Sequence, residues 1–473
     1  MSRASTPTIV VSLRPIANFA YQLDCISGWI RSCGGRGDYV ALWQQHFGVD
    51  AAQSLLIASW RDAFARSSDL ARRARIASFE ATSLDDYLRR IDAVFPRQDA
   101  AAVHTAANRW YPAFRRWWAR DPGRARARRV RQLRDALDTS PVIDDLPRLY
   151  RFFVVPPDSS RVLHLALFYR PLNGQPQQSS GEYLSDDWSV AEFAPTENIG
   201  NRIDVIVHEY THYVFAKMPA AERKTLHDAI TADPEHGAAA WSLFNESVAT
   251  AVGNGRTYRA IETDTAWKAY LARDKSFYLD GPIDTAAKAI LPLVDATLDG
   301  SGTVTSTPFT RAYLAALNAH LGDLWQAPSL VLGEFWMLGD DRFDKSIFDN
   351  AIGAFHAYSV WYDKRPCCGT AFEQWWADGA EMSRVVVIHK DNAAKTRLLS
   401  PELAARYAAL SEGQAGYTIA RHGAFTDIVI VAGSVEAAET LFDGLAHVPA
   451  LVPGQYTVSS PVGDTPADAG IVH

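Results

Sequence analysis

Apolar and polar positions follow a helical period along most of the N-terminal third of the chain. Residues 8–13 predict a short strand, stopped by Pro15, and residues 16–30 then predict an amphipathic helix. The same period predicts helices over 54–66, 69–79, 83–94, 100–118 and 124–137. Pro96 and the Asp121-Pro122-Gly123 turn punctuate them, and Pro112 is placed to kink or split the fourth. After Pro141 the period shortens. Residues 149–155 and 162–169, rich in Phe, Val and Leu, flank Pro156-Pro157-Asp158-Ser159-Ser160 and predict a hairpin, with a third strand over 190–193. Helical pattern returns at 201–218, is closed by Pro219, and continues with interruptions to about residue 382. In the tail, 385–388 and 428–432 predict strands, and 401–410 and 435–445 predict helices. The shifts in period place domain boundaries near 145 and 383, giving regions 1–145, 146–383 and 384–473.

Composition narrows the class. Of 473 residues, 48% are hydrophobic and 21% charged, which excludes a disordered, collagen-like or coiled-coil chain. Lys plus Arg is 47 against 54 for Asp plus Glu, a net charge of −7 that exerts no overall pull toward nucleic acid or an anionic membrane. No window approaches the roughly 18 consecutive apolar residues of a membrane helix. The start, Met1-Ser-Arg-Ala-Ser-Thr-Pro, has no apolar export segment. A soluble protein is expected, either cytoplasmic or exported with its signal peptide absent from this sequence. Four Cys are too few for a disulfide scaffold, and the neighbouring Cys367 and Cys368 are poorly placed to bridge each other.

The chemistry concentrates in residues 205–214, Val-Ile-Val-His-Glu-Tyr-Thr-His-Tyr-Val. On a helix, His208 and His212 project from one face a turn apart and can share a metal ion. Glu209 lies beside the first of them, where its carboxylate can take a proton from a metal-activated water. Every other position of the stretch is uncharged, as suits a helix beneath an active-site floor. An open tetrahedral site needs a third protein ligand. A continuation with Gly at 215 and His at 218 is absent, because Phe215 and Met218 stand there. Glu246, in Trp241-Ser-Leu-Phe-Asn-Glu-Ser-Val-Ala-Thr250, lies far enough on for the chain to turn at Pro219 and return as a second helix. A carboxylate on the buried face of such a helix is costly unless it meets a cation.

His-Glu-x-x-His followed by Asn245-Glu246-Ser247-Val248-Ala249 resembles the gluzincin zinc metallopeptidases, over about fifty residues from Asn201 to Thr250. The resemblance implies one Zn2+ held by His208, His212 and Glu246, Glu209 as general base, and a peptide or protein substrate. It implies an α+β fold, mostly helical, with a small mixed or antiparallel sheet packed on the zinc-site helix; the tail adds a small α/β module. The class also uses a Tyr or His to stabilise the oxyanion. Tyr278, in a loop before the next helix, is the preferred candidate here, with Tyr213, Tyr258, Tyr270, His227 and His320 as alternatives. Thr250 stands where the thermolysin branch carries Asp, so no subfamily is assigned.

Two other readings of the same residues stay open: a zinc amidase acting on a non-peptide substrate, and a non-catalytic zinc-binding scaffold. An arginine-rich stretch, 115–134, includes Trp117 and Trp118. It reads as a solvated helix face with the tryptophans in the core, and no nucleic-acid partner is expected. Oligomeric state is not encoded in any pattern of the chain.

Overall fold

The computed structural model describes residues 8–29, 36–48, 51–156, 162–169, 179–185, 187–193, 199–343, 346–365 and 382–459, together with Cys367, Cys368, Gln374 and Trp376. The fold is mostly helical, with one small mixed sheet beside the metal-site helix and a C-terminal α/β region. The chain forms two compact units. The first comprises Met1–Ala65, Leu70–Leu226 and Asn245–His320; the second comprises Arg66–Asp69, His227–Phe244 and Leu321–His473.

In the first unit, strand β1 (Thr8–Ser12) leads into α1 (Pro15–Ser27), which is buried from Ile16 to its end. Gly28 closes α1 at φ 76°, a left-handed conformation that glycine adopts without steric cost. Around α1 lie α2 (Arg36–Phe47), α3 (Ala51–Phe64), α4 (Ser68–Glu80), α5 (Leu84–Val94) and α6 (Arg97–Trp118). Their core is aromatic. The Phe19 ring sits 5.3–6.5 Å from those of Tyr111, Phe114, Trp43 and Trp60. Helix α6 runs unbroken past Pro112. Buried Ala106, Ala107, Trp110 and Tyr111 before the proline and Phe114 and Trp118 after it hold both halves in one core, which offsets the roughly 3 kcal/mol an interior proline costs. In α7 (Asp121–Thr139), Arg126 stacks 4.4 Å over Trp118 and 5.2 Å over Trp117, so part of the arginine-rich stretch is interior packing.

The expected hairpin does not form. Residues 149–155 contribute instead to helix α8 (Leu146–Phe152), which Pro147 opens and which buries Leu146, Leu149, Tyr150 and Phe152 at helical spacing. A short apolar run with no clear period fits either element, and the proline at the helix start decides it. β2 (Val162–Tyr169) pairs in parallel with β1 and with β4 (Trp188–Phe193), and β3 (Ser180–Ser185) pairs antiparallel with β4. The order β1-β2-β4-β3 leaves β3 at the edge, packed beside α9 (Ile203–Ala216). Helices α10 (Ala220–Thr231) and α11 (Gly237–Thr250) follow, and α11 continues directly into a π-helical turn (Ala251–Thr257). The stretch α12 (Tyr258–Ile261), α13 (Asp264–Leu271), α14 (Gly281–Asp299) and α15 (Thr307–His320) completes the unit.

The second unit is built on a six-stranded sheet ordered β10-β8-β9-β7-β5-β6. Residues 333–365, expected to be helical, supply β5 (Gly333–Asp340) and β6 (Ala357–Arg365), joined by α16 (Ser346–Ala354). β7 (Ser383–His389) and β9 (Phe425–Ala432) are the tail strands that the pattern predicts, and β8 (Gln414–His422) and β10 (Gly454–Ser459) join them. α16 and α18 (Val435–Leu445) cover one face, and α17 (Pro401–Ala408) covers the other.

Candidate metal centre

Helix α9 is buried at every position from Ile203 to Phe215, so its polar side chains have no access to bulk water and must find partners inside the protein. His208 and His212 lie one turn apart on one face, their rings 4.7 Å apart and nearly perpendicular. Glu246 on α11 faces both: Oε1 is 3.1 Å from His208 Nε2, and Oε2 is 3.3 Å from His212 Nε2. The two Nε2 atoms are 3.0 Å apart. Among the described residues these three form the one compact group able to hold a metal ion, with their ligand atoms within 4.8 Å of one another.

The outer partners fix what each imidazole offers. His208 Nδ1 lies 3.1 Å from Asn254 Oδ1, and His212 Nδ1 lies 3.0 Å from Asn245 Oδ1. Each Nδ1–H donates to an amide oxygen, so each ring directs its Nε2 inward. Two ring nitrogens and a carboxylate then converge in a buried space, where the Tyr278 hydroxyl donates to Glu246 and the Glu246 carboxylate favours positive charge on His212. The same carboxylate would draw a metal cation into the set. Two imidazoles and one carboxylate are donors that zinc takes, with a fourth position left open. The three residues form a gluzincin-type HExxH-plus-Glu zinc site, and they fit one Zn2+.

Sequence-local features build this geometry. Asn254 reaches His208 because the π-helical turn widens α11 just beyond Glu246. Gly253 lets that turn seat on α9: a Cβ there would stand 2.6 Å from His208 Cβ and 2.6 Å from Asp204 O. Arg256 ties the turn down through ion pairs to Asp145, Asp295 and Asp299.

Glu209 points from α9 toward the edge strand. It is buried, with Oε1 4.0 Å from His208 Nε2. The backbone N–H of Tyr183 on β3 donates to its carboxylate, and Oε2 has no hydrogen-bond partner among the described residues. Gly181 makes this approach possible, since a Cβ there would lie 2.3 Å from Glu209 Oε1. Burial raises the Glu209 carboxyl to about 8 against the opposing pull of His212, and Glu246 adds to the rise. Burial works against a charged His212, but the Glu246 carboxylate outweighs it and holds that imidazole up at about 9. In His208 burial prevails, and its pKa is lowered.

Tyr278 lies at the same centre. Its ring is nearly parallel to that of His208, 6.1 Å away, and its hydroxyl is hydrogen-bonded to Glu246. Burial first, and then the Glu246 charge, push the phenol well above its usual range. Asp284 holds the loop by accepting from the backbone N–H groups of Phe277 at 2.7 Å and Tyr278 at 3.3 Å, while Asp280 caps α14. The alternatives are engaged elsewhere. Tyr258 and Tyr270 stack on each other, Tyr213 packs with Tyr210 and Lys217, His320 bonds Ala316 O at the end of α15, and His227 packs on Trp241 and Phe425.

Asn254, Gly253, Gly181 and Tyr183 are site residues that no motif singles out. The Gly253-Asn254-Gly255 triplet following a helix is the available signal for the first two. No described helix is long and apolar enough to cross a membrane. Comparison of the chain with protein-family models, with curated proteins and with solved structures finds no match in any of the three.

Proposed function

We propose that the chain is a zinc metallopeptidase that hydrolyses peptide bonds at this centre, with Glu209 as the general base and Tyr278 as a hydrogen-bond donor to the oxyanion. The observation that carries the reading is a buried carboxylate, Glu209, held against a complete three-ligand set with one oxygen unpartnered. Zinc on His208, His212 and Glu246 would supply Lewis acidity, polarising a carbonyl oxygen and acidifying water. Glu209, buried 4.0 Å from His208 Nε2, accepts a proton from the attacking water and delivers it to the departing amine nitrogen. Tyr278 keeps its proton at neutral pH and so can donate to oxygen charge as it develops. Asn245 and Asn254 fix both imidazole tautomers throughout.

A peptide is favoured over a small amide by the edge strand. Among the described residues β3 pairs with β4 alone in its sheet, and its Gly181–Tyr183 stretch borders the base. An extended backbone can add to such an edge, which aligns an amide bond with the base beside it. The test is Glu209→Gln in the zinc-loaded chain against a peptide library. Zinc content should hold while cleavage falls by about 10²–10⁴-fold, the usual contribution of a general base. Undiminished cleavage with zinc bound would remove Glu209 from the chemistry.

A further inference from the structure

We propose that Arg75, far from the metal in sequence and on a different helix, is a positioning residue for this site: through Glu182 it holds the edge strand β3 so that Gly181 and Tyr183 keep the Glu209 carboxylate in place. The inference rests on the peptidase reading for its effect on turnover, while the clamp itself is a property of the fold.

The geometry forms a chain of contacts. Arg75 on α4 is 5% exposed and meets Glu182 fork to fork, with Nη1 to Oε1 at 2.8 Å and Nη2 to Oε2 at 2.9 Å. Paired parallel hydrogen bonds fix orientation as well as distance, which a lysine cannot do. In a strand successive side chains point to opposite faces. Glu182 therefore turns toward the helices, and residues 181 and 183 turn toward α9. Those two positions are the ones that touch Glu209, Gly181 by close approach and Tyr183 by its N–H.

β3 needs such a hold. It is six residues long, pairs on one side with β4, and its register slips between Tyr183 and Ser185. Short edge strands open at low free-energy cost. Near Arg75 lies the buried Asp24, whose Oδ1 accepts from Trp60 Nε1 at 2.7 Å. A second tie joins the same helices to the next strand, where Tyr39 donates to Glu192 at 2.7 Å, but Glu192 lies on β4, one strand removed from the edge. The N-terminal helices thus reach the strand beside the base through this ion pair, next to Leu184 of β3, which packs in their core.

The experiment uses the full zinc-loaded chain with Glu182→Gln, Arg75→Lys, Arg75→Met and the double variant Arg75→Met/Glu182→Gln. Hydrogen exchange of the 180–185 segment is measured by mass spectrometry beside peptide turnover and zinc content. In Glu182→Gln and Arg75→Met the segment should exchange about tenfold faster, and kcat should fall by about 10- to 100-fold, as expected for a reacting group displaced by up to an ångström. KM and zinc content should stay near parental values. Arg75→Lys should fall between, and the double variant should be no worse than the poorer single, because both act through one pair. Glu182 is half-exposed, so its variant decides the matter if Arg75→Met does not fold. Parental exchange in a folded Glu182→Gln variant, unchanged kcat despite a loosened segment, or additive losses would each overturn the proposal. If the parent cleaves no peptide, the function reading fails, and the exchange data still decide whether the clamp exists.

Discussion

Two buried polar clusters, one in each unit, look alike by composition and differ in their hydrogen-bond accounting. At the end of β5, Asp340 is fully buried. It accepts from the backbone N–H of Arg342 and of His389, each at 3.3 Å, and from Asn392 Nδ2. These three contacts pair the carboxylate with N–H donors. At the metal centre, His208, His212 and Glu246 are also buried, but their Nε2 and carboxylate oxygen atoms converge on one point instead of on backbone N–H groups. The first cluster anchors backbone, whereas the second gathers three metal-ligating atoms within 4.8 Å of one another. Burial of charge is therefore not what marks a site; convergence of metal-ligating atoms is.

Breaking the second cluster should have the largest effects. Glu246→Ala removes one of three ligands and leaves two imidazoles. Zinc affinity, read by competition with a chelator, should fall by more than about 100-fold, beyond the usual cost of losing an outer-shell partner. Retention of parental affinity would exclude Glu246 as a ligand. Asn254→Ala and Asn245→Ala each free one imidazole tautomer without touching a ligand. A loss of about 10- to 100-fold in zinc affinity or turnover is expected for each, and no change in either quantity would reduce the two amides to packing.

Breaking the first cluster should separate stability from chemistry. Asp340→Ala leaves buried N–H groups unpaired and should cost about 3 kcal/mol in denaturant unfolding. The zinc content of the variant should match the parent at temperatures where it stays folded. A selective loss of zinc on this substitution would mean that the two clusters are not independent.

The smallest effect concerns Asp24, beneath the Arg75 clamp. Burial raises its carboxyl from 3.8 to about 7, against the pull of Arg75 and Trp60. A group raised on folding contributes stability that is fully present below the unfolded value and is lost as pH rises toward the folded one. Asp24→Asn, which cannot ionise, should therefore raise the melting temperature by a few degrees at pH 8 and by much less at pH 4. An equal shift at both pH values would mean that ionisation of Asp24 is not what the fold opposes.

The parts of the site that a local pattern encodes were legible in the sequence. His208, Glu209 and His212 lie within one helical turn of each other, and Glu246 sits in a short companion motif, so spacing alone brings them together as candidates. Gly181 and Asn254 are defined by what they touch across the fold, and nothing adjacent to them in the chain announces it. The fold divides in the same way. Helices α3–α7 follow from their period and punctuation. Residues 149–155 did not, because a short apolar run carries no period, and Pro147, which opens the helix, lies outside it. β6, Ala-Tyr-Ser-Val-Trp-Tyr-Asp-Lys-Arg, lies at the end of the sheet order, and its aromatic residues fit a helix face equally well until β5 is placed next to it.

The most direct test of the central claim, that the converging ligand set of α9 and α11 holds zinc, is X-ray absorption at the zinc edge on the purified full chain. The account predicts about one zinc per chain with two imidazole nitrogens at about 2.0–2.1 Å and oxygen donors at about 2.0–2.2 Å, about four ligands in all. Failure to take up zinc, or an edge dominated by sulfur or lacking imidazole scattering, would contradict it.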